Sequence, residues 1–158
     1  VARRARGFDM EILATGGRYL AQYGDADGVA AVELDELLDR ADVVSLHCPL
    51  TDATRGLIGV DELERMKATA VLVNTARGPV VDEDALVQAL RNGSIAAAGL
   101  DVYRDEPALH PGLTYLDNVV LAPHVGSADV PTRDAMGVLA VDNVAAVLAG
   151  EPPLTPVR

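Results

Sequence analysis

Apolar runs of strand length alternate along this chain with stretches of helical periodicity, and that alternation restricts the possible folds more than any other feature. The runs lie at residues 10–14, 43–46, 70–73, 95–100 and 119–121, with a weaker one at 29–32. Helical patterns cover 34–40, 60–66, 83–91 and 131–148. A buried strand followed by a helix, repeated, predicts an α/β fold with a parallel sheet and helices on its faces. Asp82 stands where an N-cap is needed, and Asn92-Gly93 reads as a stop signal. In the last helix Met136, Leu139, Val144, Val147 and Leu148 approximate one apolar face, which predicts packing in the core. Gly150 ends that helix, and a proline-rich tail follows.

Three runs open into polar turns that carry chemistry. Asn74-Thr75-Ala76-Arg77-Gly78 closes the run 70–73, Asp101 to Pro107 follows the run 95–100, and Pro123-His124-Val125-Gly126-Ser127 follows 119–121. Arg77, Glu106 and His124 therefore all fall just past the carboxyl ends of strands. In an open parallel sheet, ligands bind outside those ends, because loops and helix N-termini converge there. The three side chains suit one another: a guanidinium to hold a carboxylate, an imidazole to exchange a proton near neutral pH, and a carboxylate to orient and stabilise the imidazolium. Reduction of a 2-keto acid needs those parts and a hydride donor. The competing reading of Arg77 is a strand-end arginine paired with a nearby acid.

His47-Cys48-Pro49-Leu50-Thr51, Val73 through Gly78, Gly99-Leu100-Asp101-Val102 with Glu106-Pro107, and Pro123 through Ser127 resemble, in order and spacing, the nucleotide-binding domain of the D-isomer-specific 2-hydroxyacid dehydrogenases. The stretch from Thr132-Arg133-Asp134-Ala135-Met136 to Pro152-Pro153-Leu154-Thr155-Pro156 is most similar to their glyoxylate and hydroxypyruvate reductase branch. The resemblance implies a Rossmann-like doubly wound parallel sheet. It also implies hydride transfer between NAD(P)H and a small 2-keto or D-2-hydroxy acid, with glyoxylate or hydroxypyruvate as substrate. By the same resemblance His124 donates the proton to the keto oxygen, Glu106 holds His124 protonated, and Arg77 binds the substrate carboxylate. Asp101 matches the position that binds the nicotinamide carboxamide. His47, Cys48, Pro49, Thr54, Thr75, Ala76, Arg77, His124 and Gly126 match the cofactor groove, and the complete protein is implied to be a homodimer. Two other readings stay open: a non-catalytic NAD(P)H-responsive binding module, and an inactive truncated remnant.

Dinucleotide folds carry a glycine fingerprint between the first strand and the first helix. No GxGxxG is present; the chain opens with Val1-Ala2-Arg3-Arg4-Ala5-Arg6-Gly7-Phe8, which reads as the cationic last turns of that helix leading into the second strand. By analogy with strand order 3-2-1-4-5-6, the absent strand is the central one. Residues 1–158 are thus expected to form an incomplete NAD(P)-binding domain of a longer chain, with its substrate domain upstream. The alternatives are direct pairing of the flanking strands, or a strand from another chain. After the second strand, Thr15, Gly16, Gly17 and Arg18 stand where NAD-preferring enzymes carry an acid for the ribose hydroxyls. Glycine removes repulsion against a 2′-phosphate and Arg18 can pair with it, so NADP is the expected cofactor, with NAD as the alternative.

Composition excludes other classes. With 24 acidic against 13 basic residues and a net charge of −11, the surface opposes general nucleic-acid or anionic-membrane binding. The single cysteine, Cys48, permits no intrachain disulfide and suits a reducing, cytoplasmic compartment. No apolar run approaches the ~20 residues that span a bilayer. One cysteine and three scattered histidines have no zinc-ligand spacing, so no metal is expected; His47 and His110 read as structural or surface residues. No GxSxG elbow is present.

Overall fold

A computed structural model describes residues 1–16 and 28–156 and divides the chain into two compact units, Val1–Pro123 and His124–Arg158. In the first unit, helix α1 (Ala2–Ala5) and a 3-10 turn (Arg6–Phe8) lead to β1 (Leu13–Ala14). Then come β2 (Ala30–Ala31), α2 (Leu34–Arg40), β3 (Val43–Leu46), α3 (Val60–Arg65), β4 (Val71–Asn74), α4 (Glu83–Asn92), β5 (Ala97–Leu100) and β6 (Val119–Leu121). Arg3 and Arg4 occupy the last turn of α1, where cations complement the helix dipole.

All described strands pair in parallel, in two sheets: β1 with β2, and β3-β4-β5-β6. β1 and β3 belong to different sheets, so the direct pairing weighed as one alternative is not formed. The expected run 10–14 contracts to two residues; Met10 is exposed and β1 has a ladder partner on one side only, β2. By contrast β4 is paired on both sides, through Leu72 with Val44 and with Ala98.

The core lies between the four-stranded sheet and its helices, where Leu38 of α2, Leu63 of α3, Leu72 of β4 and Leu86 of α4 are buried together with Ile58, Ile95, Val80 and Leu113. Helix α4 illustrates how sequence makes an element. Asp82 caps it by accepting from the N–H groups of Asp84 (3.0 Å) and Ala85 (3.2 Å), a contact worth about 1 kcal/mol. Ala85, Leu86, Val87, Ala89 and Leu90 are buried while Asp84, Gln88 and Arg91 face water. Gly93 stops it at φ 73°, a left-handed conformation that glycine adopts without a Cβ clash. Gly78-Pro79 forms a 3-10 turn (Gly78–Val80) ahead of this helix and separate from it, because Val81 and the capping Asp82 are extended.

The second unit is built on α5 (Val130–Leu148), capped by Asp129, whose side chain accepts the N–H of Thr132. Asn143 holds the proline-rich tail through reciprocal bonds with Thr155, both 3.0 Å. The expectation that Met136, Leu139, Val144, Val147 and Leu148 pack in a core is not met: none of the helix's residues is buried. Val130, Val138 and Val141 are exposed as well, so the helix is apolar around its circumference rather than along one stripe, and no polar face directs it. Among the described residues no helix is long and apolar enough to cross a membrane.

Candidate active-site residues at the strand ends

The turn carrying Arg77 is shaped by a residue that sequence reasoning passed over. Asn74, the last residue of β4, is buried; its Oδ1 accepts the Ala76 N–H and its Nδ2 donates to the Arg77 carbonyl, both at 3.0 Å. Its own carbonyl accepts the Asp101 N–H at 3.0 Å, tying the ends of β4 and β5 together. Asparagine suits this position because one amide both donates and accepts. The only signal in the sequence was an apolar run ending in Asn. Ala76 is buried, whereas Thr75 and Arg77 are exposed. The Arg77 guanidinium donates to the Ala76 carbonyl and makes no ion pair among the described residues, so the strand-end salt bridge is not what occupies it.

At the end of β5, Asp101, Val102 and Tyr103 are buried and Glu106 is exposed. The Tyr103 N–H donates to Glu106 Oε1 at 2.9 Å, and its hydroxyl lies 2.7 Å from the Ala122 carbonyl and 3.2 Å from that of Leu100. Burial raises the Tyr103 pKa, and the nearby Asp101 charge adds to this, so the phenol stays a donor. The following loop is pinned by an exposed cluster. Arg104 pairs with Asp84 (2.9 Å) and Asp105 (3.2 Å). His110 Nδ1 accepts the Gly112 N–H, which leaves Nε2 to donate to Asp84 at 2.8 Å. His110 is therefore structural. The Arg104 hydrogen bond, then that of His110, lowers the Asp84 pKa below the ordinary carboxylate value.

Beyond β3, His47 Nε2 lies 2.9 Å from Ser45 Oγ, and burial lowers its pKa. Cys48 is a half-buried free thiol packed against the core, beside the exposed Pro49. The Thr54 hydroxyl donates to the Pro49 carbonyl at 2.6 Å and accepts the Thr51 N–H at 2.8 Å, so it holds this turn closed. Past β1, Thr15 and Gly16 are exposed; Gly16 has φ 66° and nothing within 4 Å of where a Cβ would lie. Gly17 and Arg18 lie outside the described residues.

In the second unit, His124 has φ 53°. A left-handed non-glycine residue costs roughly 1–2 kcal/mol, and such strain concentrates at functional positions. Gly126 lies two residues on, exposed. Among the described residues no group of three or more His, Cys, Asp or Glu could hold a metal ion.

Residues 1–126 match the family model of the D-isomer specific 2-hydroxyacid dehydrogenase NAD binding domain. The chain is 49% identical over 155 residues to a glyoxylate reductase of Thermococcus onnurineus, covering 98% of this chain and 46% of that protein. Among solved structures, a glyoxylate reductase from Paecilomyes thermophila superposes with a TM-score of 0.91 at 42% identity, over 99% of this chain and 48% of that one. An NADPH-dependent glyoxylate/hydroxypyruvate reductase from Sinorhizobium meliloti, in complex with NADP and malonate, gives 0.89 at 38% identity, over 99% and 48%. The chain thus spans about half the length of these relatives. With a match through the strand ends that carry Arg77, Glu106 and His124, this chain belongs to the D-isomer specific 2-hydroxyacid dehydrogenases and carries their Rossmann-like nucleotide-binding fold.

Proposed function

We propose that residues 1–158 are the nucleotide-binding part of a longer, two-domain oxidoreductase that reduces a small 2-keto acid, glyoxylate or hydroxypyruvate, with NADPH. The observation that carries this reading is the 49% identity, over nearly the whole chain, to a glyoxylate reductase. The substrate domain is assigned upstream on the family resemblance; the chain matches 46% of that relative, which leaves room for such a domain. The exposed backbone at Gly16, open to close approach, fits the adenosine end of a dinucleotide. The other contacts are assigned to Thr15, Gly17, Arg18, His47, Cys48, Pro49, Thr54, Thr75, Ala76, Asp101, His124 and Gly126.

A bound nicotinamide supplies hydride to the keto carbon. Arg77 binds the substrate carboxylate and polarises the carbonyl, with its guanidinium unpaired by any described acid. His124 gives its proton to the keto oxygen as negative charge develops there. Glu106 orients the imidazole and balances the charge of the imidazolium. NADP is preferred because glycine replaces the ribose-binding acid and Arg18 can pair with a 2′-phosphate. The complete enzyme is assigned as a cytoplasmic homodimer, the compartment resting on the lone cysteine.

The test is glyoxylate-dependent NADPH oxidation by the complete protein. His124→Ala is expected to abolish turnover and to leave NADPH binding intact. Retained turnover would remove His124 from the mechanism. Nucleotide binding without turnover in the parent would favour a sensing module, and loss of both would favour a remnant. Gly16→Asp is expected to shift preference toward NADH.

A further inference from the structure

Among the described residues, three polar or charged ones are buried: Asn74, Asp101 and Glu83. The first two lie at strand ends beside the site residues. Glu83 is different, being the first residue of α4, where an acid ordinarily sits in water and complements the helix dipole. Here it is 4% exposed, and its Oε1 accepts the Arg104 N–H at 2.6 Å, 21 residues further along the chain. A buried carboxyl group is retained only where a partner compensates its lost hydration.

The peptide that Glu83 holds is also gripped from another side. A Cβ on Gly78 would lie 1.9 Å from the Tyr103 carbonyl carbon, 2.0 Å from its oxygen and 2.5 Å from the Arg104 nitrogen. The turn after Arg77 therefore packs directly on the Tyr103-Arg104 peptide. One residue back, the Tyr103 N–H donates to Glu106 Oε1 at 2.9 Å, and the Tyr103 hydroxyl reaches the Ala122 carbonyl at 2.7 Å. The two consecutive peptides flanking Tyr103, together with its side chain, thus link the Arg77 turn, the Glu106 carboxylate and the end of β6.

We propose that Glu83 is a positioning residue: by fixing the Tyr103-Arg104 peptide against Gly78, it sets the orientation of the Glu106 carboxylate relative to the Arg77 turn. The inference rests on the role given above to Glu106. Misplacing a catalytic group by about 1 Å costs up to ~100-fold in rate, so an anchor of this kind acts on turnover far more than on nucleotide affinity.

The experiment compares Glu83→Ala, Glu83→Gln and Glu106→Gln in the complete enzyme. It records kcat, KM for glyoxylate, NADPH affinity, the pH profile of reduction and amide hydrogen exchange at Arg104. For Glu83→Ala, kcat should fall about tenfold or more, with NADPH affinity unchanged. Its basic limb should move to lower pH, as in Glu106→Gln, because the imidazolium loses its carboxylate. Glu83→Gln, which keeps the acceptor, should recover most of kcat. A wild-type basic limb in Glu83→Ala, however far kcat falls, overturns the proposal, as does a Gln variant as impaired as Ala. Should Glu83→Ala fail to fold, Glu83→Asp, one methylene too short to reach, takes its place with the same expected limb shift. If Glu106→Gln itself keeps the wild-type limb, the role of Glu106 has failed. Positioning is then decided by Arg104 exchange in the Glu83 variant: faster exchange supports it and unchanged exchange overturns it.

Discussion

Helices α4 and α5 begin alike and end in opposite surroundings. Each has an aspartate N-cap bonded to its first-turn N–H groups, Asp82 and Asp129. Yet six of the ten residues of α4 are buried and none of the nineteen in α5. The ten residues of α4 separate into an apolar face and a polar face with Asp84, Gln88 and Arg91. In α5, Val130, Met136, Val138, Leu139, Val141, Val144, Val147 and Leu148 spread apolar surface around the helix. Capping is a short-range hydrogen-bond property that four residues settle; burial depends on what else is present to cover the side chains.

The sharpest challenge to this contrast is a matched truncation in the 158-residue chain. Leu86→Ala in α4 should cost about 2–5 kcal/mol in urea unfolding, from lost burial and the cavity left behind. Leu139→Ala in α5 should stay within about 0.5 kcal/mol, as exposed substitutions do; a loss of 2 kcal/mol or more at Leu139 would break the comparison. Gly78→Ala probes the packing that precedes α4. Its Cβ would meet backbone at 1.9 Å, so a loss of about 1–3 kcal/mol is expected, with faster exchange at the Arg104 amide. Asp82→Ala and Asp129→Ala should each cost about 1 kcal/mol of their own helix, and similar helicity losses by circular dichroism would show that the caps are equivalent although the burial is not.

The smallest effect concerns the polar face of α4. Arg104 and then His110 lower the Asp84 pKa in the folded state, so the carboxylate's contribution is complete above its unfolded value and is lost as pH falls through the depressed folded one. Asp84→Asn should therefore lower the urea midpoint at neutral pH and converge with the parent in acid. A constant difference across that range would count against the linkage.

Much of the fold was legible in advance because its signals are local. The limits of β3 and β6 follow from apolar runs bounded by polar turns, and those of α4 from Asp82 and Gly93. Strand ends placed Arg77 and Glu106 beside polar turns without any knowledge of their neighbours. The supporting residues were not legible. Asn74 reads as the tail of a strand, Tyr103 as one residue of a turn and Glu83 as an ordinary first-turn acid. Their partners stand far along the chain, as in the bonds from Asp101 to Asn74 and from Arg104 to Glu83, and no periodicity encodes such separations.

From the sequence alone came the parallel α/β class, the family resemblance and the residues proposed for chemistry, since periodicity, caps and turn residues act over a few positions and motifs are read in place. Only the tertiary structure decided that β1 and β3 join separate sheets, that Glu83 is buried against a distant amide, and that the apolar surface of α5 is uncovered. Each of those outcomes depends on which segments meet in space, and hydrophobic burial, being non-directional, names no partner beforehand.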